Sequence, residues 1–329
     1  MTGRLLLPGL LAAVLLLAAL SLATGPSAVA VGPALADWWA GRDTTAAVIL
    51  AEIRLPRVLL GAAVGASLGL SGAALQGWLR NPLAEPAVLG ISGCAAFGAV
   101  AAFYSGLALT LPLALPLGGI AGALAAVVLL LALAGRDASV LTLVLAGMAL
   151  NTLAGALVSL ALSLSPNPFA LTEIVFWLLG SLANRSLDHV ALALPPMLVG
   201  WPLLLACGRS LDALTLGEEA AQSMGVSPGR LRLAIVAGCA LTVGAAVAVA
   251  GAVGFVGLVV PHLLRPLVGH SPGRLLPASA LAGAALVLAA DIAVRVLSPV
   301  QELKLGVVTS LIGAPFFFAL VLRARRSAP

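Results

Sequence analysis

The sequence predicts an all-α, polytopic membrane protein with about ten transmembrane helices. Of its 329 residues, 61% are hydrophobic and only 9% are charged, whereas soluble domains carry about 25% charged residues. The mean hydropathy is +1.16. Apolar runs of about 20 residues, enough to cross roughly 30 Å of hydrocarbon, recur along the whole chain. We therefore interpret residues 1–329 as a single transmembrane domain.

The predicted spans follow one another from the N-terminus, separated by Pro, Gly, Asn and charged residues. They cover residues 5–25, 57–79, 88–105, 113–134, 138–161, 190–208, 231–252, 255–269, 277–297 and 305–322. The first span could instead be a secretory signal, but its apolar core of about 20 residues is longer than usual for one. The segment 171–183 is amphipathic and too short to cross the bilayer, so we predict an interfacial helix there.

The positions of the basic residues predict the orientation of the bundle. An even number of spans puts both termini on one side of the membrane. With that side inside the cell, 11 of the 17 basic residues face inward and 6 face outward. We therefore expect both termini in the cytoplasm. The basic residues occur singly or in pairs at helix ends, so orientation explains the net charge of +5 better than a nucleic-acid partner does.

Catalytic and energy-converting motifs are missing from the chain. Lys304 is the only lysine and Leu303 precedes it, so a Walker-A loop is excluded. No HExxH or paired Cys/His pattern occurs, and the cysteines lack CxxC spacing. Asp291 and Glu173 lie near helix ends, whereas proton relays place carboxylates at mid-depth. We expect no catalytic residue, no metal site and no energy source within this polypeptide.

Glycines are spaced by four residues in two of the spans. Gly61, Gly65 and Gly69 form consecutive GxxxG steps, and Gly147 and Gly155 flank an asparagine in another span. Small residues at this spacing let helix backbones approach closely in a membrane. The asparagine between them, Asn151, either bridges two helices or lines a pathway through the bundle.

A polar island, TLGEEAAQSMGVSPGRLR (215–232), interrupts the apolar sequence. Leu216, Ala220 and Met224 recur every four residues and share one helix face. Gly225 suits a left-handed helix stop, and Ser227 before Pro228 suits the start of the next span. We predict a short helix over 216–228 on the cytoplasmic surface, with a face that fits a partner's groove. The alternative is a solvated connector.

Several stretches of this chain are similar to one known family. EAAQSMG (219–225) resembles the EAA-type coupling motif of ABC-importer permeases. The resemblance extends in order from about residue 50 to the C-terminus. It rests on RLPR (54–57), SGAALQGWLRNPLAEPAVLGISG (71–93), GFVGLVVPHLLR (254–265), ADIAVR (290–295) and LGVVTSLIGAPFFFAL (305–320). Together these resemble the permeases for ferric siderophores, haem and cobalamin.

The resemblance implies a function and a set of partners. It implies a homodimer of ten-helix subunits, as in type II ABC importers, with two nucleotide-binding ATPase subunits inside and a periplasmic substrate-binding protein outside. ATP and magnesium would be used by the ATPase subunits, and this chain would hold no cofactor. Alternating access would carry a metal chelate inward, with an iron–siderophore or haem complex favoured over cobalamin.

The resemblance also implies roles for particular residues. Arg54 and Arg295, together with Arg57, would accept carboxylates of the binding protein at the outer face. Each has a simpler alternative: interfacial anchoring for Arg54, an i, i+4 pair with Asp291 for Arg295, and stabilisation of the helix start for Arg57.

On the cytoplasmic side, two further sets are implied. The ATPase-coupling set is Leu216, Gly217, Glu218, Glu219, Ala220, Met224 and Gly225. The turn RNPLAEP (80–86) and the loop before the fifth predicted span would form the cytoplasmic gate, through Asn81, Leu83, Val140 and Leu141. Asn151 would line the pathway. His262 matches a motif shared across substrates, so a structural role is favoured over that of a haem ligand.

Two other function classes remain as alternatives. A proton-driven secondary transporter would lose its transport when an ionophore collapses the gradient while ATP is intact. A membrane scaffold or enzyme would leave the gate turn and the outer arginines unexplained. Uptake into proteoliposomes separates both from the importer.

Overall fold

A computed structural model describes residues 3–135, 139–165, 168–298 and 303–326. Within these ranges the chain is helical, with short turns and no strand. The α-helices are α1 (Gly3–Ala23), α2 (Val31–Trp39), α3 (Thr45–Val48), α4 (Leu55–Trp78), α5 (Ile91–Tyr104), α6 (Ala114–Ala134), α7 (Val140–Ser163), α8 (Pro168–Leu178), α9 (Leu187–Ala206), α10 (Gly208–Leu214), α11 (Glu218–Ser223), α12 (Pro228–Ala250), α13 (Val256–Leu264), α14 (Pro272–Leu297) and α15 (Leu305–Arg326). A π-helical turn, Ile49–Arg54, joins α3 to α4.

The structure confirms an all-helical membrane protein. Seven helices among the described residues are long and apolar enough to cross a membrane. They are Leu5–Ala23, Thr45–Trp78, Ala114–Leu133, Val140–Ser163, Leu187–Leu214, Pro228–Ala250 and Pro272–Leu297. The other three predicted spans coincide with the shorter apolar helices α5, α13 and α15, so the number ten stays a prediction. Residue 138, where one predicted span begins, lies outside the described ranges.

The predicted interfacial helix is displaced. Instead of covering 171–183, α8 runs from Pro168 to Leu178. It cannot continue because Gly180 adopts a left-handed φ of 78° and the amide of Ser181 donates to the carbonyl of Ala250 at 2.8 Å. This contact ties the end of α8 to the end of α12, a long-range interaction that amphipathic periodicity cannot predict.

The centre of the bundle is formed by α4 and α12. We compared burial over an 18-residue apolar stretch of each membrane-spanning helix. The buried share is 83% in Thr45–Trp78 and 78% in Pro228–Ala250, but only 6% in Leu5–Ala23 and 22% in Val140–Ser163. α4 packs against α14, α13, α12 and α9, and α12 packs against α9 and α6. α1 and α7 are therefore peripheral, with most of their surface open to lipid or to another chain.

Glycines allow α4 and α14 to approach closely, as predicted. A Cβ added to Gly65 would overlap the carbonyl of Gly283, and one added to Gly69 would overlap the carbonyl of Ser279. A Cβ added to Gly147 would likewise overlap the carbonyl of Val88. The prediction is wrong for Gly155, which has no heavy atom within 4 Å of the position of its Cβ.

Gly65→Ala is expected to lower the free energy of unfolding by about 1–3 kcal/mol, because the added methyl group forces two backbones apart. The measurement is the thermal unfolding midpoint of the purified chain in detergent. Gly155→Ala is the matched control and is expected to leave that midpoint unchanged or to raise it slightly. Equal midpoints for the two variants would contradict this packing interface.

Candidate functional site

The polar island forms a shorter helix than predicted. α11 contains six residues, Glu218–Ser223, and not the whole of 216–228. Gly217 before it has a φ of +113° and Gly225 after it has a φ of +89°. The amide of Gly225 donates to Gln222 O at 2.9 Å and that of Val226 to Ala221 O at 3.0 Å. These two bonds form a Schellman motif and confirm the predicted stop at Gly225.

The apolar ends of this island point away from the protein. Leu216 is 68% exposed and Met224 is 65% exposed, whereas Ala221 is only 1% exposed and anchors the helix from beneath. Both acidic residues that begin α11 are exposed, and Ala220 is half-buried. The island is therefore a rigid projection with unburied apolar side chains, which is the form of a docking element.

The next helix begins where the sequence predicts, with one difference. Ser227 occupies the N-cap and Pro228 the first position of α12. The Ser227 side chain makes no capping hydrogen bond, so the start of α12 relies on proline's fixed φ.

The turn after α4 adopts the predicted geometry. Asn81 Oδ1 accepts a hydrogen bond from the amide of Leu83 at 2.9 Å, as in an Asx-turn. Leu83 is 41% exposed. The prediction that Val140 and Leu141 lie in a loop is wrong: they form the first turn of α7, which Ser139 caps by accepting from the amide of Thr142 at 3.1 Å. Both residues are exposed, at 40% and 65%.

Glu85 in this turn is half-buried, and desolvation raises the pKa of its carboxyl above the ordinary value. The folded state therefore holds the proton more tightly than the unfolded state does. The free energy of unfolding should fall as the pH rises above the ordinary glutamate pKa, and the loss is complete above the raised pKa. Glu85→Gln is expected to remove this dependence and to raise the unfolding midpoint at about pH 7.

The measurement is the unfolding midpoint between about pH 4 and pH 8. Glu52→Gln, at an exposed glutamate, serves as the matched control. A Glu85→Gln profile parallel to that of the unmodified chain would contradict the role of Glu85 burial.

Arg54 does not present its guanidinium at the outer surface, contrary to the prediction. It is 4% exposed. Its Nη1 donates to the carbonyls of Leu22 at 2.7 Å and Ala23 at 3.1 Å, and its Nη2 donates to Ser27 O at 2.6 Å. The last carbonyls of α1 have no partner within their own helix, and Arg54 satisfies them. Its observed role is to fasten the end of α1 to the start of α4.

Arg57 and Arg295 share one buried carboxylate. Asp291 is 1% exposed. It accepts from Arg57 Nε through both oxygens, at 3.0 and 3.1 Å, and from Arg57 Nη2 at 2.9 Å. Arg295 Nη2 approaches Asp291 Oδ2 at 3.0 Å. The alternative of an i, i+4 pair between Arg295 and Asp291 is confirmed. Arg295 Nη1 also donates to the carbonyls of Ser21 and Thr24, at 2.9 and 2.7 Å.

The outer cluster, defined as Arg54, Arg57, Asp291 and Arg295, therefore joins α1, α4 and α14. Sequence reasoning did not identify Asp291 as its centre. The sequence contains one signal for this role of Asp291. It is a carboxylate in an otherwise apolar span, where a charge is normally paired. Its second partner could not be found by spacing, since Arg57 is 234 residues away.

Two further candidate residues occupy packing positions. A Cβ at Gly93 would overlap Asn151 Oδ1, so the half-buried amide lies at the contact between α5 and α7. The ring of His262 packs edge-on against Phe316, with centroids 5.8 Å apart. Across the described part of the chain, no group of three His, Cys, Asp or Glu residues could hold a metal ion.

The described residues therefore form a helical membrane protein with two buried central helices, α4 and α12, and an exposed projection at α11. The chain belongs to the FecCD transport family, whose model matches residues 12–323. It is 44% identical over 283 residues to the ABC transporter permease protein YvrB of Bacillus subtilis (strain 168), covering 84% of this chain and 80% of that one.

Several relatives are named for a transported compound, and two of them illustrate the range. Identity is 43% over 287 residues to the cobalamin import permease BtuC of Halobacterium salinarum, covering 85% of this chain and 75% of the relative. Identity to the Fe(3+) dicitrate permease FecD of Escherichia coli (strain K12) is 40% over 293 residues, which covers 88% of this chain and 90% of the relative. A solved metal-chelate type ABC transporter in an inward-facing conformation matches with a TM-score of 0.84 and 34% identity, over 97% of this chain and 99% of the other.

Proposed function

We propose that this chain is the permease subunit of an ABC importer that carries a metal chelate from the periplasm to the cytoplasm. The candidate cargoes are an iron complex, with a siderophore or as haem, and cobalamin. The observation that carries the proposal is α11, held rigidly by Ala221 and its flanking glycines while Leu216 and Met224 remain exposed. Relatives named for ferric dicitrate and for cobalamin support a metal chelate as the cargo class.

The energy would come from a separate ATPase. Two ATPase subunits would each receive one α11 in a groove, so that ATP binding and hydrolysis move this projection. α10 precedes α11 and packs against both α14 and α4. A displacement of α11 is therefore passed directly to the central helices of the bundle. Bound ATP and magnesium belong to the partner, and this chain supplies movement without catalysis.

The pathway would lie between two copies of the chain. The peripheral position of α7 leaves a largely open face for a second copy. Leu83, Val140 and Leu141, all exposed, are proposed to close the cytoplasmic end as an apolar constriction, with Asn81 fixing the turn. Asn151 would lie beside the pathway on α7. In this proposal both termini lie in the cytoplasm, and the protein spans the inner membrane.

Docking of the periplasmic binding protein is proposed at the outer cluster. Arg57 is the best placed, because its side chain is 14% exposed against 8% for that of Arg295. A carboxylate of the binding protein would compete with Asp291 for the guanidinium group of Arg57. Arg54 and Arg295 would contribute by holding α1 in place, and they would meet the binding protein only if α1 moved aside.

The test is uptake into proteoliposomes that contain this chain, its candidate ATPase and the binding protein. A ferric siderophore, haem and cobalamin are supplied in separate samples. We expect uptake of one of them to require ATP and to persist when a proton ionophore is added. Uptake that collapses with the ionophore while ATP is intact would instead establish a proton-driven transporter.

A further inference from the structure

A polar cavity of about 600 Å³ lies at the end of the bundle that carries α11. Its walls come from α10, from the turn before α14 and from the first residues of α14. Arg209 and Arg274 line it from opposite sides of this junction, and Asp212 lies between them in sequence and in space. In the proposed orientation this cavity is at the cytoplasmic surface of the membrane.

The two arginines in the cavity have no partner within the described chain. Both residues are exposed, and neither guanidinium group forms a hydrogen bond or an ion pair with another described residue. Asp212, by contrast, is engaged: its Oδ1 accepts from Ser271 Oγ at 3.0 Å and from the amide of Gly273 at 2.9 Å. The carboxylate thus caps the start of α14, and the guanidinium groups are left to attract an anion.

An apolar face leads from this cavity toward the membrane interior. Leu205 lines the cavity and is 43% exposed, and Leu198, two turns earlier on the same face of α9, is 53% exposed. Arg209 continues this face, because the backbone of Cys207 stays in the right-handed helical region between α9 and α10. The distance along the axis from Leu198 to Arg209 is about 16 Å. Cations at the membrane surface and leucines beneath them match the two parts of a phospholipid.

We propose that this cavity binds the phosphate headgroup of an anionic phospholipid, with Arg209 and Arg274 holding the phosphate and Leu198 and Leu205 contacting an acyl chain. Guanidinium groups bind phosphate oxygens in a bidentate manner, and basic pockets between membrane helices bind anionic headgroups. A free phosphate would use the arginines alone. An ATPase surface would use the arginines without needing the leucines.

The experiment measures binding of phosphatidylglycerol to the purified full-length chain in neutral detergent, by native mass spectrometry, with phosphatidylcholine as the reference lipid. The Arg209→Gln, Arg274→Gln double variant is expected to bind phosphatidylglycerol roughly twentyfold more weakly, since each juxtamembrane arginine contributes about fivefold. Asp212→Asn retains a capping oxygen and removes the opposing charge, so it should bind the lipid several-fold more tightly. The opposite directions of these two changes exclude simple misfolding as their cause.

Two further variants complete the test. Leu205→Ser should weaken binding of the lipid without changing the charge of the cavity, whereas Arg80→Gln, at an exposed arginine of the same bundle end, should leave it unchanged. Displacement of the lipid by millimolar inorganic phosphate would overturn the lipid assignment. The lipid assignment would also be overturned if the double variant bound phosphatidylglycerol like the unmodified chain. The same holds if it kept the lipid and lost only its binding to the ATPase.

Discussion

Replacing both Leu216 and Met224 with serine is expected to abolish ATP-driven uptake and to weaken ATPase binding roughly thirtyfold or more. Losing an apolar anchor from an interface costs about 1 kcal/mol or more. Losing both therefore costs about 2 kcal/mol, which corresponds to roughly thirtyfold. Both side chains are more than half exposed in the isolated chain, so serine removes no internal packing. The measurements are co-purification of the ATPase and its hydrolysis rate with the permease in nanodiscs.

The matched control is Leu107→Ser with Leu109→Ser, at exposed leucines of 52% and 91% in a different loop. These substitutions change the same chemistry away from α11 and should leave ATPase binding intact. Glu219→Arg with Ala220→Trp is a second way to disrupt the island. Because Ala220 is half-buried, that variant also needs an unfolding measurement. Normal hydrolysis and binding in both island variants would remove α11 from the coupling mechanism.

Asp291→Ala is expected to lower the free energy of unfolding by about 3–5 kcal/mol, because it leaves buried arginines without their shared counter-charge. Asp291 has a side chain only 2% exposed, and its partners Arg57 and Arg295 have side chains 14% and 8% exposed. The loss should appear as a lower unfolding midpoint in detergent and as easier proteolysis near α1, whose end is held by Arg295.

Asp37→Ala breaks the pair of Asp37 with Arg42, in which the nitrogen–oxygen distance is 2.7 Å and the arginine side chain is 63% exposed. The loss from an exposed pair is about 0–1 kcal/mol. The two variants thus remove the same functional group in two settings. Equal losses would show that the outer cluster is no more stabilising than a surface ion pair.

Local sequence predicted the features that depend on neighbouring residues. Hydropathy over about 20 residues located the membrane helices, because crossing hydrocarbon requires an unbroken apolar run. Gly225 ended α11 and Pro228 began α12 as predicted, because these two positions depend on the backbone freedom of single residues. The helix ends were less accurate: α8 stops early at Leu178 because a contact with α12 fixes the chain there.

Spacing alone did not distinguish a packed glycine from an exposed one. Gly65 and Gly155 both occur in four-residue repeats, yet only Gly65 meets another backbone. The difference arises because α4 is surrounded by other helices whereas α7 lies at the edge of the bundle. The repeat shows that close approach is allowed, and the position of the helix in the bundle decides whether it happens.

The sequence by itself determined that this protein is a helical membrane protein with a short polar helix between two apolar spans, and its motifs resembled one transport family. Only the tertiary structure decided how the charged residues are used. Arg54 and Arg295 hold the end of α1. Asp291 pairs both with its neighbour Arg295 and with Arg57, which is 234 residues away. A buried charge must find a partner wherever the fold brings one near, so its partner depends on helix packing and not on distance along the chain.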